Sequence, residues 1–423
     1  MPQPEAKLVP FPKASASQIA SGARRPRDPR LDVFRGLALV MIFINHVPGN
    51  PFEDYTNRNF GFSDAAESFF VLSGMAAGLA YSGRFMAAQR ESSGLWSAVR
   101  PMWARAWTLY MTQILLTAWA IAIFSAGALW FGVPEMVTKI NLTRVFGQTA
   151  EALVGLPTLG HQLGYVNILP AYSVLLITAP IAILVGLRSP GLMMALSVGF
   201  WFLTGLYRWN LPAFPNPGGW FFNPLAWQVL FVAGLMTGLS KRQGKQFIPY
   251  KPILFWGCIV FLLFVLAWMK IPPLGTTMNK MMLIMGRAGA PFHLVAHDKT
   301  FVSLPRMLHI MALAYVLSHA RIVLTLCAQN WTRPLALMGR QGLLVFASGT
   351  LMSLSAQVIM TAMDKPEWLG WTLPPLGIAL MILIAWIAEA ISGRPKSPGG
   401  VASAPQEPSP KAEPPASKTT SAT

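Results

Sequence analysis

Apolar residues in this chain gather in long blocks, not in the short alternation of a half-buried strand. Runs of about 20 mostly apolar residues recur, each long enough to cross a hydrocarbon core about 30 Å thick as an α-helix. The pattern predicts about ten helices, over 31–48, 61–83, 101–131, 164–187, 190–207, 224–240, 252–271, 303–326, 335–362 and 370–392. A membrane β-barrel would instead show segments of alternating polarity. The expected fold class is therefore an all-α polytopic integral membrane protein, with residues 30–392 in one bundle. Residues 1–29 predict a disordered basic arm. Residues 393–423, rich in Pro, Ser, Ala and Lys, predict a disordered tail, because such composition cannot build a core.

Composition agrees with the pattern: 53% of residues are hydrophobic and 12% charged. The formal net charge of +17 would suit nucleic acid if it were clustered, but the cations are scattered through short loops. Membrane topology and anionic lipids or ligands explain that scatter better, and no nucleic-acid partner is expected. The long basic lead and the charge inside the first apolar run argue for an uncleaved first helix instead of a signal peptide. Cys258 and Cys327 sit in or at the end of apolar runs and supply neither a disulfide framework nor a zinc site. His293 and His297 are spaced i,i+4, but in a segment bounded by Gly and Pro, so no metal is expected.

Loop charges set an expected orientation. Arg24–Arg30, Arg84 with Arg90 and Arg100, Lys241–Lys245, Arg321 with Arg333, and Arg394–Lys396 fall on one side, which places both termini in the cytoplasm. Residues 272–302 dissent, carrying Lys280, Arg287 and Lys299 on the other side; they predict a loop and a candidate binding surface. Residues 211–224 predict an ordered re-entrant or lid-like loop whose Trp220, Phe221 and Phe222 suit the membrane interface.

The chemistry concentrates in Arg30–Asn50, where Asp32, Arg35 and His46 interrupt an apolar run. Ionisable groups in a bilayer are costly and are functional candidates by default. Arg35 and His46 are eleven residues apart, hence on one helix face and about 16 Å apart along the axis. A histidine that only bonds across helices is the plainer alternative for His46.

The next helix opens with Asp64 and Glu67. Asp-x-x-Glu suits a capping box, which would account for Asp64 alone. Gly74, Gly78 and Ser82 follow small-xxx-small spacing; close packing of the first two helices would carry Glu67 to His46 and make the imidazole a base for a hydroxyl. Arg100 and Arg105 open the third helix near the expected position of Arg35, and three such guanidinium groups would hold phosphates; snorkelling would also place them. Asp298, Lys299, Arg306 and His309 gather at the outer start of the eighth helix. Arg340 lies inside the ninth and needs an anionic or carbonyl partner, and Gln228 is a buried hydrogen-bonding candidate.

The stretches RLDVFRGLALVMIFINH, RNFGFSDAAESFFVLSGMAAGLAY, NPLAWQ and HDKTFVSLPRMLHIMALAY resemble the OpgC family of membrane proteins over roughly residues 30–392. That family is associated with succinylation of osmoregulated periplasmic glucans and is similar to the membrane acyltransferase-3 group. Arg35 and His46 match the group's helix-one Arg and His, SFFVLSG matches its FFxxSG run, and Glu67 stands at its acidic position. Arg100 and Arg105 are the nearest match to its R-x-x-R pair, with wider spacing. The resemblance implies a multi-pass protein of a bacterial inner membrane that transfers a short acyl group, succinyl favoured, from cytoplasmic acyl-CoA to an envelope glycan.

On that basis His46 and Glu67 are the expected catalytic pair. Arg35, Arg100, Arg105, Arg306, His309 and Arg340 would bind substrate, with Asp32, Asn45, Asp64, Asp298 and Lys299 in support. Acyl-CoA would be a co-substrate, and no bound cofactor is expected. Asn45 and Arg306 are the candidates for oxyanion donor, and no protein nucleophile stands out. The alternatives are a transporter or flippase for a glycan or lipid precursor, and an inactive family member within an envelope complex.

Overall fold

The computed structural model describes residues 28–392. The expected N-terminal arm, apart from Asp28 and Pro29, and the expected tail at 393–423 lie outside the described residues. Fifteen α-helices occupy the described chain, and pairing within it is limited to an isolated bridge between Pro212 and Gly219. Six of these helices are long and apolar enough to cross a membrane, or seven if one bent pair counts as a single span.

Helix α1 (Pro29–Asn45) and α2 (Ala65–Tyr81) are 17 residues each, about 25 Å long and short for a crossing on their own. Helix α3 (Ala87–Trp130) breaks at Gly94, whose φ of 73° is non-helical, and so begins before the expected residue 101. Two short helices, α4 (Leu142–Gly147) and α5 (Thr149–Gly155), lie in the long connection to α6 (Ile168–Arg188). Then come α7 (Pro190–Tyr207), α8 (Pro224–Arg242) and α9 (Pro252–Lys270).

The expected loop at 272–302 contains instead α10 (Pro272–Arg287). At 16 residues, with Thr, Asn and Lys along it, this helix is too short to cross a membrane alone. Met282 packs inward while Met281, Ile284 and Met285 are exposed, and Trp268 Nε1 donates to Asn279 Oδ1 at 3.2 Å.

The expected single span at 303–326 is two helices, α11 (Leu304–His319) and α12 (Arg321–Cys327), bent by 75°. The span at 335–362 likewise divides at Gln341 into α13 (Arg333–Arg340) and α14 (Gly342–Ala362). Helix α15 (Glu367–Ile391) ends the described chain.

Between helices in lipid, apolar burial gives little net drive, so close approach and dispersion decide packing. The glycines of α2 and α8 show this. A methyl at Gly74 would overlap the Phe231 carbonyl oxygen, and one at Gly78 the Leu235 carbonyl oxygen; reciprocally, Gly234 faces the Val71 carbonyl and Gly238 that of Met75. The small-residue face of α2 therefore serves α8, not α1 as the spacing suggested. Helix α1 makes its own backbone contact with α13, where Gly36 meets the Leu335 carbonyl and Gly339 the Asp32 carbonyl. Ser197 Oγ donates to Gln228 Oε1 at 2.6 Å, and Gln228 Nε2 donates back to the Ser197 carbonyl at 2.8 Å. Gln228 thus ties α7 to α8.

At the face where α1 begins, Asp28 accepts from Arg30 and from Lys241 Nζ at 2.5 Å, and Arg30 Nη1 donates to the Ser318 carbonyl. Burial works to raise the Asp28 pKa, but the Arg30 bond and the Lys241 charge prevail and hold it at about 2. The carboxylate stays ionised near neutrality and fastens α1 to the ends of α8 and α11. We call this the proximal face, and the one where α1 ends the distal face.

Gly234→Ala is expected to destabilise the purified protein by about 1–3 kcal/mol, the usual cost of overpacking, because a carbonyl cannot yield as a side chain does. Gly257→Ala, which meets nothing within 4 Å, should leave the thermal unfolding midpoint in detergent unchanged. Equal midpoints for both variants would contradict backbone contact between α2 and α8.

Candidate active site

Asp64 and Glu67 begin the site. Asp64 N-caps α2, accepting from Ala66 N at 2.8 Å, while Glu67 Oε2 accepts from Asp64 N at 2.9 Å. The capping box is therefore formed. The remaining oxygens of both carboxylates face cations from a distant part of the chain. Lys299 Nζ lies 2.5 Å from Asp64 Oδ2, Arg306 Nε donates to Glu67 Oε1 at 2.7 Å, and Arg306 Nη2 reaches Glu67 Oε1 at 2.6 Å. Arg306 Nη2 also lies 3.5 Å from Asp64 Oδ2, so the Asp64 carboxylate has two cationic partners. Glu67 is completely buried, and pairing with hydrogen bonds is what makes a buried carboxylate tolerable.

Lys299 reaches Asp64 because its loop is pinned from below. Trp227 Nε1 donates to the Lys299 carbonyl at 3.1 Å, and Trp201 Nε1 to the Phe301 and Val302 carbonyls at 3.0 Å. Asp298 has a local task, accepting from Phe301 N at 2.7 Å. Trp220 and Phe222 are buried, Phe222 packing against Phe70 and Trp227. Phe222 belongs to this floor, Trp220 is held in its own loop by bonds to Leu211 and Asn210, and Phe221 alone of the three is exposed, so burial replaces the expected interface position for two of them.

His46 caps the C-terminus of α1 on the same distal face. Its Nδ1 is buried with no hydrogen-bond partner among the described residues, its carbonyl accepts from Gln357 Nε2 at 3.0 Å, and its ring meets Tyr165 edge-to-face at 4.5 Å between centroids. Glu67 makes no hydrogen bond to it among the described residues, so the expected orientation of His46 by Glu67 is not what the structure shows. The capping box and Arg306 occupy that carboxylate, and α2 turns its close-packing face to α8. A cavity of about 10 Å³ adjoins His46, between Leu39, Phe43, Phe346, Gly349 and Met381. That is room for about one water, so a sugar or thioester needs side chains to move.

Asn45, next to His46, accepts from Thr56 Oγ1 at 2.8 Å through its Oδ1. His309 is buried beside Ser63, with Nδ1 2.7 Å from Ser63 Oγ. Its ring lies where a side chain on Gly61 would stand. His293 and His297 do not converge: His293 packs against Trp201 and Phe202, and His297 against Phe62 and Trp268.

The arginines expected to cluster come from two helices, α1 and α3. Arg35 lies against Gly342 of α14 on the proximal half of α1, and buried Asp32 is nearby on the same helix. Arg340 has the acidic partner it required, with Nη2 3.0 and 2.9 Å from the two oxygens of Glu389. Arg100 is exposed and Arg105 half-buried on α3, whose main neighbours are α6 and α14, whereas α1 packs on α13, α2 and α14. Helix α14 is thus a neighbour of both α1 and α3, with Arg35 against its first residue, Gly342.

Sequence reasoning missed Tyr165, Ser63, Thr56 and Gln357. Ser63 adjoins the capping box and was findable from it. Tyr165 sits in an irregular connection, where no periodicity marks a residue.

Two polar sites joined by α1 are the arrangement a membrane enzyme needs when its two substrates lie on opposite faces. A comparison with the curated proteins gives no match. The family model described as OpgC protein matches residues 27–393, which contain the whole of the described chain, and the protein belongs to the OpgC family.

Proposed function

We propose that this chain is a membrane acyltransferase that moves a short acyl group, succinyl favoured, from cytoplasmic acyl-CoA to a hydroxyl of a periplasmic glucan or related envelope glycan. Family membership points to a glucan-modifying transferase. The observation that carries the chemistry is His46, an imidazole with a bare Nδ1 at the distal end of a helix whose proximal half bears Arg35. The proximal face is cytoplasmic in this account, as the loop cations suggest, with both termini there and the membrane the bacterial inner one.

Arg35 holds phosphate of the coenzyme, and the pantetheine arm spans the roughly 16 Å to His46 along α1. Arg100 and Arg105 serve a more peripheral part of the donor, and Arg340 holds its neighbourhood in place through Glu389. At the distal end the acceptor hydroxyl oxygen attacks the thioester carbonyl while His46 takes the hydroxyl proton. When the tetrahedral intermediate collapses, the C–S bond breaks, the new ester remains on the sugar, and the proton passes from His46 to the departing thiolate. Asn45 is the better oxyanion donor of the two candidates. Its Oδ1 is engaged by Thr56 while its amide nitrogen donates no hydrogen bond among the described residues, whereas Arg306 is spent on Glu67 and Asp64.

Removing a general base costs about 100-fold or more in rate. His46→Ala is expected to lower glucan-dependent release of free CoA thiol by at least that factor while the protein stays inserted and monodisperse; an unchanged rate would remove His46 from the chemistry. Glu67→Ala should behave differently. It strands Arg306 in a buried site, at a cost of about 3–5 kcal/mol, so activity and thermal stability should fall together. Loss of activity at full stability would instead give Glu67 a direct catalytic part.

A further inference from the structure

Tyr165 has three properties that a packing residue does not need together. Its backbone is left-handed, with φ of 68°, a conformation that crowds Cβ and is uncommon for a bulky side chain. Its ring meets His46 edge-to-face. Yet the side chain remains 39% exposed, and its hydroxyl makes no hydrogen bond among the described residues. Strained residues persist where surrounding structure over-determines them, and they cluster at ligand sites.

The surroundings do over-determine this one. His161 donates from Nε2 to the Asn141 carbonyl at 3.1 Å, Asn141 Nδ2 donates to the Gln162 carbonyl at 3.0 Å, and Gly164 N donates to the Ile140 carbonyl at 3.1 Å. Tyr110 Oη anchors the same connection through the Pro157 carbonyl at 2.9 Å. Four bonds thus hold a surface segment so that one aromatic ring stands at the mouth of the His46 site. Leu163 and Val166 on either side of it are fully buried, so the segment has its hydrophobic anchors without Tyr165.

We propose that Tyr165 forms the acceptor subsite for a pyranose ring. The C–H face of the sugar stacks on the exposed part of the ring and a sugar hydroxyl bonds the phenol, while the edge contact fixes the imidazole that receives the proton. An aromatic platform suits this task because it orients a sugar without charge and excludes water from one side of the base. The assignment rests on the acyltransferase account for the meaning of His46, but sugar binding is measurable without turnover.

The experiment uses the full chain in detergent, with a glucan oligosaccharide as acceptor probe and succinyl-CoA as donor. Acceptor affinity is read without donor, and thiol release is read with both. Tyr165→Phe should retain binding within a few-fold. Tyr165→Leu should weaken binding at least tenfold and raise the acceptor KM in step. Tyr165→Gly, which suits a left-handed backbone, should lose binding equally while unfolding at the same or a higher temperature, which separates a ligand role from a structural one. Wild-type affinity in Tyr165→Leu and Tyr165→Gly would overturn the subsite, as would failure of the wild type to bind the oligosaccharide. Tyrosine-dependent binding without thiol release from any donor would preserve the subsite and count against acyl transfer alone.

Discussion

Charge inside a bilayer must be paired or lost, and this constraint organises the protein. Glu67 has no solvent contact, and its hydrogen bonds come from the start of its own helix and from Arg306, 239 residues along the chain. Asp64 does the same with Lys299. Two carboxylates at the N-terminus of α2 thereby hold the N-terminus of α11 and the loop before it. The Asp28–Arg30–Lys241 group fastens α1, α8 and the end of α11 at the opposite face. Between these polar ends the helices touch through glycine, backbone against backbone. Dispersion supplies the middle of the bundle, and ion pairs set its ends.

That division explains the role in which Glu67 is found. A carboxylate tied to a guanidinium and a backbone N–H has little capacity left for a neighbouring imidazole. His46 is positioned instead through its main chain, by Gln357, and through its ring, by Tyr165. The ion pairs thus belong to the scaffold that presents the base, and the residues touching the base come from other elements.

What was legible in the sequence follows the same physics. The helical character of the apolar blocks, the capping box at Asp64 and the unpaired demands of Arg340 and Gln228 are local or compositional features, and each has the expected kind of structure, although six or seven helices, not about ten, are long and apolar enough to cross a membrane. The break at Gln341 was hidden because Gly339 and Gly342 look permissive in a hydrophobic run, while their need is for contact with α1. Helix α10 was hidden because its methionine stripe is diluted by Thr and Asn. The glycines of α2 announced a close neighbour without naming it. Tyr165 depends on a folded connection whose bonds link residues about twenty positions apart, and nothing local specifies that.

The central claim is that the distal site transfers an acyl group to an envelope glycan. Mass spectrometry of the glucans from cells with and without this gene tests it most directly. The account predicts that glucans from the deleted strain lack the mass of one acyl substituent, and that the intact gene restores it. Full acylation in the deleted strain, with glucan redistributed across the membrane, would contradict transfer and point to transport.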